Sequence, residues 1–211
     1  MGGALRAASG ALADAVDTAR AGLVQIRLGN ESVGAGIVWS SDGLLITNAH
    51  VVGGRQRRRR RMRVVAAPPR VVLPDGKELA ATVVAVAPEK DLAALRVTAG
   101  EDLLPLVRGD ARALRPGAWV VAVGHPWGVR GAATAGAVID VGRAPTLPYD
   151  GDLIQMGLQL RPGHSGGALV DGAGRLLGIN TMISGPQVGL AIPEYVVARF
   201  LAETVYQATL V

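Results

Sequence analysis

Short apolar runs occupy most of the chain between Leu23 and Pro193. Each run is about six residues long, rich in Val, Ile and Leu, and bounded by Gly, Pro, Asp or Asn, which is typical of strands separated by turns. The stretch Ala99 to Gly117 is rich in Gly, Pro and charge, and we interpret it as a linker between two sets of runs. The first set begins at residues 23, 34, 44, 71, 82 and 92, and the second at 119, 136, 153, 166, 176 and 188.

Helical periodicity is confined to the two ends of the chain. Between Ala7 and Ala21 the apolar residues recur at helical spacing, which predicts one short amphipathic helix with Ser9 as its candidate cap. After Pro193 the apolar stripe predicts a closing helix that packs on the second set of strands. The stripe residues are Ala8, Leu12, Ala15, Val16 and Ala19 in the first helix, and Val196, Val197, Phe200, Leu201 and Val205 in the second.

A dozen short strands with no long helices between them favour antiparallel barrels, because parallel strands require crossover segments that this pattern lacks. We therefore expect an all-β fold with two barrels. The predicted boundaries are an N-terminal helical segment at 1–22, barrels at 23–104 and 105–192, and a C-terminal helix at 193–211.

The composition is that of a globular protein, with 49% hydrophobic and 18% charged residues among 211. The absence of cysteine excludes disulfides, thiolate metal sites, iron–sulfur clusters and cysteine nucleophiles, so any chemistry must use oxygen or nitrogen. No apolar run is long enough to predict a membrane span. Asp14 and Asp17 interrupt the N-terminal segment where a signal peptide would need an apolar stretch, so none is expected and the compartment stays undetermined, cytoplasmic as written.

The net charge of +5 comes from one segment, since seven arginines lie between Arg55 and Arg63. Without them, 15 basic residues remain against 17 acidic ones, so the rest of the chain is nearly neutral. Clustered like charges repel one another and favour a solvated loop. The alternative is a docking segment for a polyanion, an anionic surface, an acidic substrate or a partner protein.

The chain has three histidines. His50 closes an apolar run, His125 precedes a proline in a turn and is interpreted as a loop residue, and His164 lies beside a serine and is expected to face solvent. None shows ligand-type spacing and no carboxylate cluster accompanies them, so no metal site is predicted.

Ser165 is flanked by Gly163, Gly166 and Gly167, which allow the backbone angles of a tight loop and a close approach of substrate. A glycine-rich hairpin would have the same composition. A serine hydroxyl is a poor nucleophile unless an imidazole accepts its proton and a carboxylate orients that imidazole. His50 at a strand end and Asp91 at a strand start supply these two groups, and the three residues together indicate a triad.

The segments TNAHVV, DLAALRV and PGHSGGALVD resemble the His, Asp and Ser boxes of trypsin-fold serine proteases, specifically the HtrA/DegP-like branch. The resemblance covers residues 23–200 and implies two perpendicular six-stranded barrels with the active site in the cleft between them. It also implies that Ser165 is the nucleophile, His50 the general base and acid, and Asp91 the orienting carboxylate. The backbone N–H groups of Gly163 and Ser165 would form the oxyanion hole, and no metal or organic cofactor is required.

The resemblance further implies a serine endopeptidase that acts through an acyl-enzyme on unfolded or damaged polypeptides. A glutamine at the base of the pocket disfavours Arg and Lys side chains, and the neighbouring aliphatic residues predict cleavage after small or medium aliphatic residues. Substrate would pair as an added strand beside Asn180 and Thr181. The predicted substrate-binding residues are Gln159, Leu160, Ile179, Asn180, Thr181 and Val188.

The chain departs from the family pattern at several points. His164 stands where the pattern usually has asparagine, and it either perturbs the oxyanion loop or faces solvent, the alternative that we favour. The residues after Pro193 are too few for a PDZ domain, so regulation by that module is not expected. Members of the family are commonly trimers outside the cytoplasm, and residues 1–22 could serve such an assembly by analogy. The alternative function is a non-catalytic binding module that uses the segment Arg55 to Arg63.

Overall fold

The computed structural model describes residues 2–53, 68–98, 103–144, 149–185 and 187–206. The arginine-rich segment Arg55 to Arg63 lies outside the described residues. Twelve strands are present in the described residues, one at each predicted run, and they form two closed antiparallel barrels. Both the number of strands per barrel and the all-β class agree with the expectation from sequence.

The first barrel contains six strands, with β4 closing against β1. The strands are β1 (Leu23–Leu28), β2 (Glu31–Ser40), β3 (Leu44–Thr47), β4 (Pro69–Val72), β5 (Glu78–Ala87) and β6 (Leu92–Val97).

The second barrel repeats this connectivity, with β10 closing against β7. Its strands are β7 (Trp119–Gly124), β8 (Ala132–Arg143), β9 (Asp152–Gly157), β10 (Ala168–Val170), β11 (Leu176–Gly185) and β12 (Val188–Pro193). In each barrel the order is first, second, third, sixth, fifth, fourth.

Helices flank the barrels. Helix α1 (Gly2–Ala21) is longer than predicted, and Ser9 lies inside it, so the prediction that Ser9 caps the helix is wrong. Ala15 and Ala19 are the buried residues of its apolar stripe. A four-residue helix α2 (Ala49–Val52) follows β3. Helix α3 (Glu194–Leu201) continues as a π-helical turn (Ala202–Tyr206) and contacts β6 of the first barrel as well as β11 and β12 of the second.

Three apolar clusters hold the molecule together. One fills the first barrel around Ile26 and Leu95, and another fills the second barrel around Met156 and Leu169. The third joins the barrels and includes Phe200 of α3. Burying one such side chain contributes about 1.5–3 kcal/mol, so the contact between the barrels is a core in its own right. It therefore fixes the position of one barrel relative to the other.

The predicted linker is packed where it is described. Leu103 and Leu106 are buried, Arg108 forms an isolated parallel bridge with Leu176, and Ala111–Ala113 form a short 3₁₀ turn. No helix in the described part of the chain is both long enough and apolar enough to cross a membrane.

Candidate active site

His50 lies on α2, immediately after β3 of the first barrel. Asn48, two residues before His50, has an extended backbone at the helix start and is fully buried. Its side-chain Nδ2 donates to the backbone oxygen of Asp91 at 3.0 Å. Asn48 therefore ties the start of α2 to the residue that the imidazole must meet.

Asp91 adopts a left-handed backbone conformation, with φ of 49°, at the end of the 3₁₀ turn Pro88–Lys90. Its carboxylate accepts from His50 Nδ1 at 2.8 Å to Oδ2 and 3.0 Å to Oδ1, and from the His50 backbone N–H at 3.1 Å. Thr181 Oγ1 on β11 donates to Oδ2 at 2.6 Å. Residues from both barrels thus meet at one carboxylate.

These contacts decide the charge of Asp91. Burial by itself raises the pKa of this carboxyl, but the hydrogen bonds and charge of His50, together with the Thr181 hydroxyl, outweigh burial and hold the pKa below its ordinary value. Asp91 is therefore ionised at neutral pH. An ionised carboxylate on Nδ1 selects the tautomer of His50 that leaves Nε2 free to accept a proton.

Ser165 lies in the loop between β9 and β10, at the face of the second barrel that meets the first. Its hydroxyl donates to the backbone oxygen of Thr181 at 3.0 Å. Within the described residues, Ser165 Oγ makes no hydrogen bond with His50. The structure therefore brings His50 and Asp91 into direct contact and holds the serine hydroxyl on a neighbouring carbonyl.

The turn before Ser165 has the signature of a type II turn, which favours proline at its second position and glycine with positive φ at its third. Pro162 and Gly163 occupy these positions, Gly163 has φ of 104°, and the His164 N–H donates to the Arg161 carbonyl at 2.9 Å. The Gly163 carbonyl accepts from the His125 N–H at 2.9 Å. Among the described residues, neither the Gly163 nor the Ser165 N–H has a hydrogen-bond acceptor.

Backbone hydrogen bonds hold the residues after Gly163 to both barrels. The Ser165 carbonyl accepts from the Ala35 N–H of β2 at 2.9 Å, and the Gly166 N–H donates to the Asn180 carbonyl of β11 at 2.9 Å. Gly166 has φ of 80°, and a Cβ there would overlap the Ala35 carbonyl and the Thr47 hydroxyl. Only glycine fits this position.

His164 is buried, with 3% of its surface exposed, so the expectation that it faces solvent is wrong. Its Nδ1 lies 3.2 Å from the Arg161 N–H, within the same turn. Burial lowers the pKa of the ring, which keeps it neutral at pH 7. Gly124 packs directly on the His164 backbone, since a Cβ on Gly124 would lie 2.7 Å from the His164 Cα.

His125 is a loop residue, as predicted, and precedes the 3₁₀ turn Pro126–Gly128. Its side chain is nevertheless buried, with 6% of its surface exposed. Its Nδ1 accepts from the Gly131 N–H at 3.1 Å, and burial lowers its pKa to about 4. Trp127 in the same turn is 71% exposed and has φ of 53°. The guanidinium of Arg161 lies 4.8 Å from the centre of its ring, which links this turn to the serine loop.

The predicted substrate-binding residues differ in exposure. Gln159 is exposed and accepts from Arg161 Nη2 at 3.0 Å, whereas Ile179 and Asn180 have no exposed surface. The backbone N–H and carbonyl of Asn180 are both bonded to the serine loop, through Gly167 and Gly166. In this arrangement Asn180 therefore has no free backbone group for pairing with a peptide.

Leu160 and Val188, two of the remaining predicted pocket residues, both lie next to Gly189. Leu160 is buried and its Cγ lies 3.0 Å from the position that a Cβ on Gly189 would take. Val188 is half-buried and precedes that glycine, and Thr181 is buried at 3% exposure. No group of three or more potential metal-ligating side chains occurs within the described ranges.

Sequence reasoning missed the role of Asn48 and the contact of the Thr181 hydroxyl with Asp91. Asn48 precedes His50 by two residues, so its place in the motif was a usable signal. Thr181 is 90 positions from Asp91, and nothing in the pattern of either segment indicates that contact.

The chain is similar to known serine proteases in sequence and in fold. Residues 34–179 match the trypsin-like peptidase domain family. A probable periplasmic serine endoprotease, DegP-like, from Brucella suis is 40% identical over 163 residues, which cover 75% of this chain and 29% of that protein. The mitochondrial serine protease HTRA2 of Bos taurus is 36% identical over 174 residues, which cover 81% of this chain and 36% of the relative.

Solved structures show the same similarity. The HtrA-type protease AlgW with a tripeptide superposes with a TM-score of 0.76 at 34% identity, covering 89% of this chain and 61% of the other. AlgW with a decapeptide gives a TM-score of 0.75 at 29% identity, covering 89% and 65%. The chain thus spans roughly a third of the length of these curated relatives and less than two thirds of the AlgW chains. By sequence and fold, the chain belongs to the trypsin-like peptidase domain family, and the relatives and solved structures that it resembles are of the HtrA/DegP type.

Proposed function

We propose that this protein is a serine endopeptidase in which Ser165, His50 and Asp91 form the catalytic triad. The observation that carries the proposal is the environment of Asp91, whose carboxylate bonds His50 Nδ1 at 2.8 Å and is supported from the other barrel by Thr181. An imidazole whose Nδ1 is held by a carboxylate can accept the proton of a nucleophile that lies near Nε2. Ser165 is bonded to the backbone of that same Thr181.

The first half of the reaction forms the acyl-enzyme. Ser165 leaves the Thr181 carbonyl by rotating its side chain to another staggered position and donates to His50 Nε2. Its Oγ attacks the scissile carbonyl carbon while the hydroxyl proton passes to Nε2. Asp91 stabilises the resulting imidazolium through Nδ1–H. Collapse of the tetrahedral intermediate breaks the C–N bond, and the amine leaves with the proton from Nε2.

The second half releases the acid. Water attacks the ester carbon, His50 Nε2 takes the proton of that water, and the second tetrahedral intermediate expels Ser165 Oγ. The serine recovers its proton from the imidazolium, and the carboxylic product leaves. No electron donor or metal takes part in these steps.

The oxyanion is proposed to bind to the N–H groups of Gly163 and Ser165. Support comes from the lack of an acceptor for either group among the described residues and from the bond that holds the Gly163 carbonyl on His125. One such donor is worth about 3–4 kcal/mol of transition-state stabilisation, or 10²–10³ in rate.

The proposed substrates are unfolded or damaged polypeptides cut after small or medium aliphatic residues. The apolar wall of Leu160 beside Gly189 and Val188 supports that preference. If Leu160 limits the pocket, Leu160→Ala raises kcat/KM for a peptide with Phe before the scissile bond relative to the same peptide with Val. An unchanged ratio contradicts this assignment of the pocket.

The proposed activity is tested with a fluorescently labelled unfolded protein. The wild-type chain should release labelled fragments, Ser165→Ala should reduce the rate by about 10³ or more, and Ser41→Ala should leave it unchanged. Ser41 is an exposed serine in a turn and serves as the matched control. Equal rates in the Ser165→Ala and Ser41→Ala variants would exclude the assignment of Ser165 as nucleophile.

Compartment, assembly and polyanion binding stay predictions. The DegP-like relatives are described as periplasmic, which supports a site of action outside the cytoplasm. Light scattering, which measures the mass of the particle in solution, tests whether the chain forms a trimer. Binding of a polyanion by the segment Arg55 to Arg63 predicts an affinity for nucleic acid that falls steeply with salt concentration, and loss of that affinity on deletion of the segment.

A further inference from the structure

Asp91 has a backbone conformation that is unfavourable for a residue with a side chain. Its φ of 49° and ψ of 39° lie in the left-handed region, which costs energy for residues that carry a Cβ. In this conformation the carboxylate reaches His50 Nδ1 at 2.8 Å. Strained backbone of this kind persists only where the surrounding structure holds it. The contacts that hold the backbone of Asp91 therefore support its bond to His50.

Hydrogen bonds hold the peptide groups on both sides of Asp91. Because peptide groups are planar, fixing the planes before and after a residue also fixes its φ and ψ. In the plane before Asp91, its N–H donates to the Pro88 carbonyl at 3.2 Å. The Lys90 carbonyl of that plane accepts from the Tyr149 hydroxyl at 3.3 Å. In the plane after Asp91, its carbonyl accepts from Asn48 Nδ2 at 3.0 Å. Of these partners, Tyr149 is the one that comes from the second barrel.

Packing fixes the ring of Tyr149. The residue lies in the connection between β8 and β9, and its ring is half-buried against the apolar cluster that joins the barrels. The ring lies beside Gly151, where a Cβ would come within 2.9 Å of Tyr149 Cε1. Burial, together with the negative charge of Asp91, raises the pKa of the hydroxyl above its ordinary value. The hydroxyl therefore keeps its proton and remains a donor at neutral pH.

A second contact joins the turn before Asp91 to the π-helical turn that follows α3. Lys90 Nζ pairs with Glu203 Oε2 at 3.0 Å. This ion pair is exposed to solvent, where such pairs contribute little to stability. The bond from Tyr149 to the Lys90 carbonyl is partly buried, so water replaces it less readily. Tyr149 is therefore the stronger of the two anchors on Lys90.

We propose that Tyr149 is a positioning residue, which acts through the Lys90 carbonyl and holds Asp91 in the conformation that reaches His50. Its hydroxyl bonds the backbone beside Asp91, whereas Thr181 bonds the carboxylate itself. The importance of Tyr149 for catalysis rests on the proposed function. Its effect on the contact between His50 and Asp91 does not, so the two proposals fail separately.

The variant Tyr149→Phe removes the hydroxyl and keeps the ring. It should lower kcat about 3- to 10-fold with little change in KM, since the variant loses one hydrogen bond that orients the triad and none to substrate. Tyr195→Phe is the matched control, because the Tyr195 hydroxyl donates to Asp152 at 3.0 Å and not to the turn of Asp91. It should keep the wild-type kcat. Steady-state kinetics on one peptide substrate compare the three proteins.

A second measurement is independent of peptidase activity. The bond to Asp91 protects the Nδ1 proton of His50 from exchange with water, and the NMR signal of this proton is identified by its loss in His50→Ala. Exchange should be about 3- to 10-fold faster in Tyr149→Phe and unchanged in Tyr195→Phe. Faster exchange in a chain that cleaves no peptide would support the role of Tyr149 and contradict the proposed function. Equal exchange in the two variants, or a Tyr149→Phe enzyme that changes KM and not kcat, would overturn the proposal.

Discussion

Thr181 connects two members of the proposed triad. Its hydroxyl donates to Asp91 at 2.6 Å, and its backbone oxygen accepts from Ser165 Oγ at 3.0 Å. Hydrogen bonds to charged groups contribute more than neutral ones, about 1.5–3 kcal/mol each. The side chain is buried at 3% exposure, so water does not replace a lost contact readily. The position of the Asp91 carboxylate therefore depends on Thr181.

We predict that Thr181→Val lowers kcat by about 10- to 100-fold with little change in KM, because the variant removes the donor to Asp91 while preserving side-chain volume. Thr181→Ser, which keeps the hydroxyl, should retain most of the activity. Steady-state kinetics on one peptide substrate measure both variants. A Thr181→Val enzyme as fast as Thr181→Ser would show that the hydroxyl does not support the triad.

At this scale, local residue patterns predict His50, Asp91 and Ser165 as a triad, and the structure brings His50 and Asp91 into contact. The prediction that substrate pairs beside Thr181 stays a prediction, but the contact of the Thr181 side chain with Asp91 was not expected. Sequence reasoning also expected His164 to face solvent, although the ring is buried. Both differences arise from contacts between segments that are distant in the chain, and such contacts leave no local pattern.

The serine loop, residues 161–167, is the element on which the proposed activity depends. Its shape rests on glycines at positions with positive φ, Gly163 and Gly166, and on bonds to β2 and β11. Because β2 belongs to the first barrel and β11 to the second, the loop also joins the barrels.

Gly166→Ala should reduce the free energy of unfolding by at least about 3 kcal/mol, since the added Cβ combines positive φ with overlap against the Ala35 carbonyl. Gly117→Ala is the matched control, because Gly117 has φ of 88° and open space around it. Its cost should be about 1–2 kcal/mol, from backbone strain alone. Urea denaturation of the two variants measures the difference, and equal losses would contradict the proposed overlap.

At the scale of elements, all twelve strands were predictable, because each apolar run is bounded by turn residues. The start of α1, in contrast, was not predictable. Ser9 is a good capping residue in isolation, but the helix begins at Gly2 and passes through it. Local capping preference is weak compared with the packing of Ala15 and Ala19, which holds the helix on the barrels.

The molecule as a whole buries two titratable rings, His125 and His164, behind the serine loop. Burial lowers the pKa of both, and that of His125 falls to about 4 from an ordinary 6.5. Between pH 4 and pH 6.5, the His125 ring binds a proton in the unfolded chain but not in the folded chain. Stability is therefore unaffected by His125 above pH 6.5 and falls as the pH is lowered toward 4.

We predict that lowering the pH from 7 to 4.5 costs the wild-type chain roughly 2–3 kcal/mol through His125, at 1.36 kcal/mol per pKa unit. His125→Gln cannot titrate and can still accept from the Gly131 N–H, so it should lose correspondingly less stability over this range. Arg115→Gln should show the full wild-type loss. Urea denaturation at both pH values gives the comparison, and identical losses in all three proteins would refute it.

The identical connectivity of the two barrels had no counterpart in the sequence, where no internal repeat is recognisable. A cavity of about 120 Å³ is lined by residues of β1, β4, α1 and the turn after β7, which meet only because the two barrels pack against each other. Motif reasoning finds chemistry that lies within one segment, and it does not find spaces formed between several. The cavity is therefore visible only in the folded molecule.

Mass-spectrometric mapping of the folded protein after treatment with an active-site phosphonate tests whether Ser165 is an activated nucleophile. We expect one covalent adduct, on Ser165, with labelling greatly slowed by His50→Ala and unaffected by Ser41→Ala. Folded protein that acquires no adduct on Ser165, or that labels other serines equally, would contradict the claim that Ser165 is an activated nucleophile.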